Sequence, residues 1–114
     1  MDVVQTLKIV AAIGTIAAGA TSIVLPRSAE SFTGLSAVGP RGVSEIRAVL
    51  GALFVGLGVA ALLFRSPDAY RTLGIGYAAV AAVRVASIAL DRASTSSNWI
   101  SFVSESAFAF VFLI

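Results

Sequence analysis

Long apolar segments that hold almost no charged residue constrain this chain more than any other feature. The first of them, residues 3–25, carries no charge after Lys8. A helix rises about 1.5 Å per residue, so about 20 apolar residues cross the hydrocarbon core of a bilayer. Hydrophobic residues make up 58% of the chain and charged residues 12%, whereas soluble domains contain roughly 45–50% and about 25%. The sequence therefore predicts an integral membrane protein.

Turn residues divide the chain into four predicted spans. Pro26 ends the first span, the Gly- and Ser-rich stretch 26–43 is typical of a loop, and Ser44 is a candidate N-cap for the second span. The predicted spans cover residues 3–25, 44–64, 69–90 and 99–114. Short turns between consecutive helices favour an up-down arrangement. We expect one all-α domain over residues 1–114, an integral membrane antiparallel four-helix bundle. Basic residues divide equally between its two sides, which leaves the orientation open.

Small residues recur at four-residue intervals in the first three predicted spans. Lipid supplies no hydrophobic drive between helices, so close backbone approach and dispersion hold membrane helices together. We therefore predict that the helices pack through these small residues: Gly14, Ala18, Ala48, Ala52, Gly56, Ala60, Gly74, Ala78, Ala82 and Ala86.

Phenylalanines concentrate in the fourth predicted span. They are interpreted as lipid-facing bulk, or alternatively as a docking face for a partner helix, a lipid tail or a pigment. The residues of this partner or lipid face are Phe102, Phe108, Phe110 and Phe112. Trp99 and Tyr70 are predicted to be interfacial anchors.

Two opposite charges fall at the same predicted depth on consecutive spans. Arg84 lies about 10 Å before the end of the third span, and Glu105 lies about 10 Å after the start of the fourth. A lone charge near the bilayer centre costs about 2.5–3.5 kcal/mol, and less at this depth. Pairing with hydrogen bonds offsets most of that penalty. We predict an Arg84–Glu105 ion pair that faces the bundle interior.

Further polar residues are expected beside this pair. Asp91 and Tyr77 each lie seven residues from Arg84, on the same helix face, and Glu45, at the start of the second span, is expected to point inward. The predicted intramembrane polar cluster is Glu45, Arg47, Tyr77, Arg84, Asp91 and Glu105. Two simpler interpretations stay open, a helix-dipole role for Glu45 and a snorkelling Arg47. The pair itself is either a structural clamp or part of a proton or solute site.

The segment Glu45-Ile46-Arg47-Ala48, followed by Gly51, resembles the signature of a family of small bacterial four-helix membrane proteins. That family is described only as a domain of unknown function. Its pattern in the third and fourth helices, an arginine followed by an aspartate and then an acid, is matched by Arg84, Asp91 and Glu105. Leu50 departs from the pattern, which often has a glycine there. The resemblance implies a multi-pass protein of the bacterial inner membrane with a polar cluster, and it implies no activity.

The residue types that the chain lacks exclude most catalytic chemistry. There is no Cys and no His. The chain therefore has no thiolate nucleophile, no imidazole base, and no metal or haem site ligated by these residues. We predict no enzyme activity, no catalytic residue, no cofactor and no metal site. The scattered basic residues form no nucleic-acid patch.

Three functions fit what remains. The first is a non-catalytic accessory or structural subunit of a larger membrane complex, in contact with membrane lipids and with other subunits or a second copy. The second is an oligomeric translocator of protons or a small solute, which would use Glu45, Arg84, Asp91 and Glu105. The third is a lipid- or quinone-binding membrane protein.

Overall fold

Five helices and no strand make up the protein in a computed structural model that describes all residues, 1–114. The helices are α1 (Val3–Val24), α2 (Pro26–Thr33), α3 (Gly39–Phe64), α4 (Pro67–Leu90) and α5 (Ser96–Leu113). The predicted all-α class is confirmed. Three of the helices, α1, α3 and α4, are long and apolar enough to cross a membrane.

Capping groups set the starts of three helices. The backbone N–H of Gln5 donates to the carboxylate of Asp2 at 2.7 Å. The hydroxyls of Ser66 and Thr95 each accept a backbone N–H three residues later, at 3.2 Å. Such side-chain oxygens satisfy N–H groups that have no partner inside the helix. Because of these caps, α4 begins at Pro67 rather than at 69, and α5 begins at 96 rather than at 99.

The stretch 26–43 is largely helical, so the predicted loop there is wrong. Pro26 occupies the first turn of α2, where its fixed backbone angle suits a helix, and no glycine or proline follows until Gly34. Gly34 ends α2 in the left-handed conformation, with φ of 78°, and its N–H donates to the Glu30 carbonyl at 2.9 Å. Since α3 already begins at Gly39, the connection between these helices shortens to residues 34–38.

The chain forms two compact units, which we call the middle unit (residues 12–64) and the terminal unit (residues 1–11 and 65–114). In the middle unit, the later part of α1 and α3 run antiparallel at backbone contact. A Cβ placed on Gly19 would lie 2.5 Å from the carbonyl oxygen of Gly51. A Cβ placed on Gly58 would lie 2.9 Å from the carbonyl oxygen of Ala12. Only glycine allows this approach.

The packing face of α3 differs from the predicted row of small residues at four-residue intervals, which we call a stripe. Gly51 and Gly58 are buried, whereas Ala48, Ala52 and Gly56 are exposed. Residues 46–52 form a π-helix inside α3. A π-helix has i→i+5 hydrogen bonds and more residues per turn than an α-helix, so a four-residue spacing does not return to the same face there.

In α1 and α4, too, part of the predicted stripe lies outside the observed packing face, although both helices are regular α-helices. In α1 the buried residues include Thr15 and Gly19, whereas Ala18 is exposed. In α4 Gly74 is buried, but Ala82 and Ala86 are exposed. Four residues of an α-helix turn through about 400°, so a four-residue stripe drifts by about 40° per step. Its later members therefore rotate out of the contact.

In the terminal unit, α4 and α5 pack antiparallel around a group of aromatic rings. The ring of Phe112 stacks between Tyr70 and Tyr77, with centroids at 6.1 and 6.0 Å. Phe108 meets Tyr77 edge-on at 5.2 Å. Gly74 permits this approach, because a Cβ there would lie 2.7 Å from the Cγ of Leu113.

Two aromatic assignments made from the sequence need correction here. Phe112 is fully buried and Phe108 is half-buried, so these residues belong to the core rather than to a partner or lipid face; Phe110 is the one that is exposed. Tyr70 is 1% exposed and is not an interfacial anchor. Its hydroxyl has no hydrogen-bond partner, and the Nζ of Lys8 lies 5.4 Å from its ring centroid.

Candidate functional site

The predicted ion pair between Arg84 and Glu105 is present and joins α4 to α5. The Nε of Arg84 donates to Glu105 Oε2 at 2.8 Å, and its Nη2 donates to Oε1 at 2.6 Å. This is the two-bond geometry in which the planar guanidinium matches a carboxylate, and it is among the stronger hydrogen-bonded arrangements in proteins. Both side chains are largely covered, with exposed fractions of 31% for Arg84 and 15% for Glu105.

Asn98 is a third member of this site that the sequence did not predict, because the residue lies between the third and fourth predicted spans. Its Oδ1 accepts from Arg84 Nη1 at 2.8 Å, and its Nδ2 donates to the Ala93 carbonyl at 2.9 Å. The available signal was spacing: Asn98 precedes Glu105 by seven residues, which places both on one face of a helix. We call Arg84, Asn98 and Glu105 the polar clamp.

The polar clamp leaves the guanidinium with two N–H groups beyond the three that it donates. A groove of about 530 Å³ opens beside it. The groove is lined by Ala79, Val80, Val83, Arg84, Ser87 and Asn98. Because Glu105 neutralises Arg84, the clamp carries little net charge. It can hold the two helices in register and offer its two remaining N–H groups to a neutral acceptor.

Asp91 and Tyr77 make other contacts than those the predicted cluster requires. The carboxylate of Asp91 accepts from the Ser87 hydroxyl at 2.6 Å and lies on the exposed surface. Tyr77 belongs to the aromatic stack with Phe108 and Phe112. Of the predicted cluster, only Glu105 contacts Arg84 directly. Asp91 and Tyr77 lie on the same helix as Arg84 but have other partners.

Glu45 and Arg47 belong to the middle unit. Glu45 forms an ion pair with Arg41 one turn earlier in α3, and its side chain is 53% exposed. The expectation that Glu45 points inward is therefore wrong, because the π-helix begins at the next residue and the face of small residues that Glu45 leads into is itself exposed. Arg47 is exposed and makes no ion pair or hydrogen bond within the chain.

A comparison with protein families matches nearly the whole chain. The family is described as Domain of unknown function (DUF4345), and its model covers residues 3–114. No curated protein and no solved structure matches.

Proposed function

Because the chain belongs to this family of unknown function, as the sequence resemblance indicated, we propose its role from its own surfaces. It is a non-catalytic, multi-pass protein of the bacterial inner membrane that packs against another helix in a larger assembly. The observation that carries the proposal is an exposed, apolar seven-residue repeat along α4, on a part of the helix that its own chain leaves uncovered.

The apolar surface of the long helices supports a place in the membrane. Only 22% of the most apolar stretch of α1, 22% of that of α3 and 28% of that of α4 is buried within the chain. Such an extent of exposed apolar surface is stable in lipid and not in water. The 18 residues of α5 extend about 27 Å, close to the thickness of the hydrocarbon core. With the antiparallel pairs α1–α3 and α4–α5, this supports an up-down four-helix bundle.

The packing surface that we propose is the exposed face of α4, which we call the α4 seam. It consists of Gly76, Ala79, Val83, Ala86 and Leu90, all exposed. Their spacing alternates between three and four residues, which is the repeat that packs one helix along another at a small crossing angle. A Cβ at Gly76 would meet nothing within 4 Å, and small residues are what membrane helices use for close approach. The seam therefore fits a partner helix.

A photo-crosslinking residue placed on the seam tests this proposal. It replaces Val83, which is 70% exposed, or as a control Val85, which is 38% exposed on the same helix. At about 100° per residue, Val85 lies at least about 100° around the helix from every seam residue. In native membranes we expect position 83 to give one protein adduct of fixed mass and position 85 to give none of that mass. An adduct of twice the chain's mass would identify a second copy as the partner.

Two results would overturn the proposal. Lipid adducts alone at both positions would mean that the seam faces the bilayer. Recovery of the chain in the soluble fraction after alkaline extraction of membranes would remove the premise that it is an integral membrane protein.

Translocation is the weaker alternative, because both carboxylate oxygens of Glu105 accept hydrogen bonds from one guanidinium. A proton relay needs a carboxylate that exchanges partners during the cycle. We expect proton flux into liposomes to stay at background for the wild-type protein and for Glu105→Gln alike. A wild-type flux above background that Glu105→Gln abolishes would favour the translocator instead.

A further inference from the structure

We propose that the groove beside Arg47 in the middle unit binds one anionic phospholipid, with the phosphate on the guanidinium and an acyl chain along Ala48 and Ala52. The inference rests on the membrane location proposed above. It concerns a different helix face from the α4 seam.

The charge of Arg47 is the first support. Arg47 is exposed and has no acidic partner in the chain. Glu45, the acid nearest to it in sequence, is already held by Arg41. An arginine that keeps all its donors free attracts a phosphate, which its planar fork can bind through two hydrogen bonds.

The shape and lining of the groove are the second support. It has a volume of about 490 Å³. Its lining consists of Ile23, Pro40, Val43, Ser44, Arg47, Ala48 and Ala52. Apart from Ser44 and Arg47 these side chains are apolar, so the groove suits a hydrocarbon chain next to a cation. The π-helix over residues 46–52 leaves Ala48 and Ala52 exposed beside Arg47 instead of against α1.

The position of Arg47 along α3 is the third support. The helix ends at Phe64, 17 residues after Arg47, a length of about 25 Å at 1.5 Å per residue. The hydrocarbon core is about 30 Å thick. If Phe64 lies at one face of the hydrocarbon core, the backbone of Arg47 lies about 5 Å short of the opposite face, and its long side chain extends outward to the phosphates there. This geometry favours a lipid over a free phosphate ion or a partner helix.

Native mass spectrometry of the purified full-length protein in detergent tests the charge recognition. The probes are phosphatidylglycerol and phosphatidylcholine with identical acyl chains. We expect the wild-type protein to bind the first phosphatidylglycerol about fivefold more tightly than phosphatidylcholine, as one basic residue near an anionic headgroup allows. Arg47→Gln should make the two affinities equal. Arg92→Gln, which removes another exposed arginine without a partner in the chain, should keep the preference. Equal affinities in the wild-type protein, or a preference that survives Arg47→Gln, overturn the proposal.

A second pair of variants tests the groove. Ala52→Phe should weaken binding of both lipids at least tenfold by filling the groove, whereas Ala18→Phe, a change at an exposed alanine in the same unit, should not.

Glycerophosphoglycerol, which has the headgroup without acyl chains, should displace no lipid at equal concentration. Its displacement of the lipid would show that a free phosphate ester suffices and would overturn the acyl-chain part. A protein adduct from a photo-crosslinker at Ala52 in native membranes would replace the lipid with a partner helix. None of these results depends on the crosslink at Val83, so failure here leaves the function proposed for the seam intact.

Discussion

The two compact units hold their helices together by different means. In the middle unit, α1 and α3 touch through backbone atoms, since glycines 19, 51 and 58 leave no room for a Cβ. In the terminal unit, α4 and α5 are joined by the polar clamp and by stacked rings of Tyr70, Tyr77 and Phe112. Both contacts are tight, but the first depends on the absence of side chains and the second on particular functional groups.

This difference determines which substitutions each unit tolerates. Backbone contact is lost when a side-chain atom is added, because the backbone of the facing helix cannot rotate away from the new atom as a side chain can. A polar clamp is lost when one member is removed, because the charge that remains is covered and unpaired. The middle unit should therefore be sensitive to larger residues, and the terminal unit to the loss of polar groups.

The largest effect that separates the units should come from Glu105→Leu. The change leaves the covered guanidinium of Arg84 without its carboxylate, and we expect a loss of about 3 kcal/mol in the free energy of unfolding. Titration of the protein in bicelles with dodecyl sulfate measures it, with the fluorescence of Trp99, the single tryptophan, as the probe. The double variant Arg84→Met with Glu105→Leu should lie within about 1 kcal/mol of the wild type. A loss as large in the double variant as in the single one would contradict the polar clamp.

A somewhat smaller loss should follow from Gly19→Ala in the middle unit. The new Cβ would lie 2.5 Å from the carbonyl oxygen of Gly51 and 2.9 Å from the backbone nitrogen of Val55. We expect about 2 kcal/mol of destabilisation, measured by circular dichroism in the same titration. Gly56→Ala is the control, because a Cβ there meets nothing within 4 Å; it should change stability by less than about 1 kcal/mol, in the favourable direction. Equal losses at both glycines would mean that backbone contact is not what holds α1 to α3.

Asn98→Ala should weaken the polar clamp without breaking it. The substitution removes one hydrogen bond to the guanidinium and one to the Ala93 carbonyl, for an expected loss of about 1 kcal/mol. The fluorescence titration used for Glu105→Leu applies here too. Ser104→Ala, which removes an exposed hydroxyl bonded within α5, should change stability by less than about 0.5 kcal/mol. If Asn98→Ala lowers the free energy of unfolding no more than this control does, Asn98 does not stabilise the polar clamp.

The smallest effect has the opposite sign. The Tyr70 hydroxyl is buried without a partner, so Tyr70→Phe should raise the free energy of unfolding by about 0.5 kcal/mol while the ring keeps its contacts. Tyr77→Phe, in the same aromatic stack, should bring no such gain. A loss of stability in Tyr70→Phe would reveal an acceptor for that hydroxyl, and the core of the terminal unit would then hold a second polar contact.

The sequence predicted the helical class, the approximate limits of the long helices and the contact between Arg84 and Glu105. These features depend on local composition or on residue counts from helix ends, and errors of two or three residues at the ends do not change them. The prediction failed for residues 26–33, where the serine- and glycine-rich composition favoured a loop although Pro26 and Gly34 delimit a short helix. It also assigned Phe112 to the surface, because composition alone does not show which side of α5 faces α4.

By itself, the sequence determined that the chain is helical, that its long helices are apolar enough for a membrane, and that opposite charges at equal depth form a pair. Each of these follows from the free energy of placing one segment, or one charge, in its surroundings. Only the tertiary structure decided which small residues meet another helix, how the π-helix sets the exposed face of α3, and that Asn98 completes the clamp. The reason is rotational: a helix presents its residues all around its axis, and only contact with its neighbours selects the side that is buried.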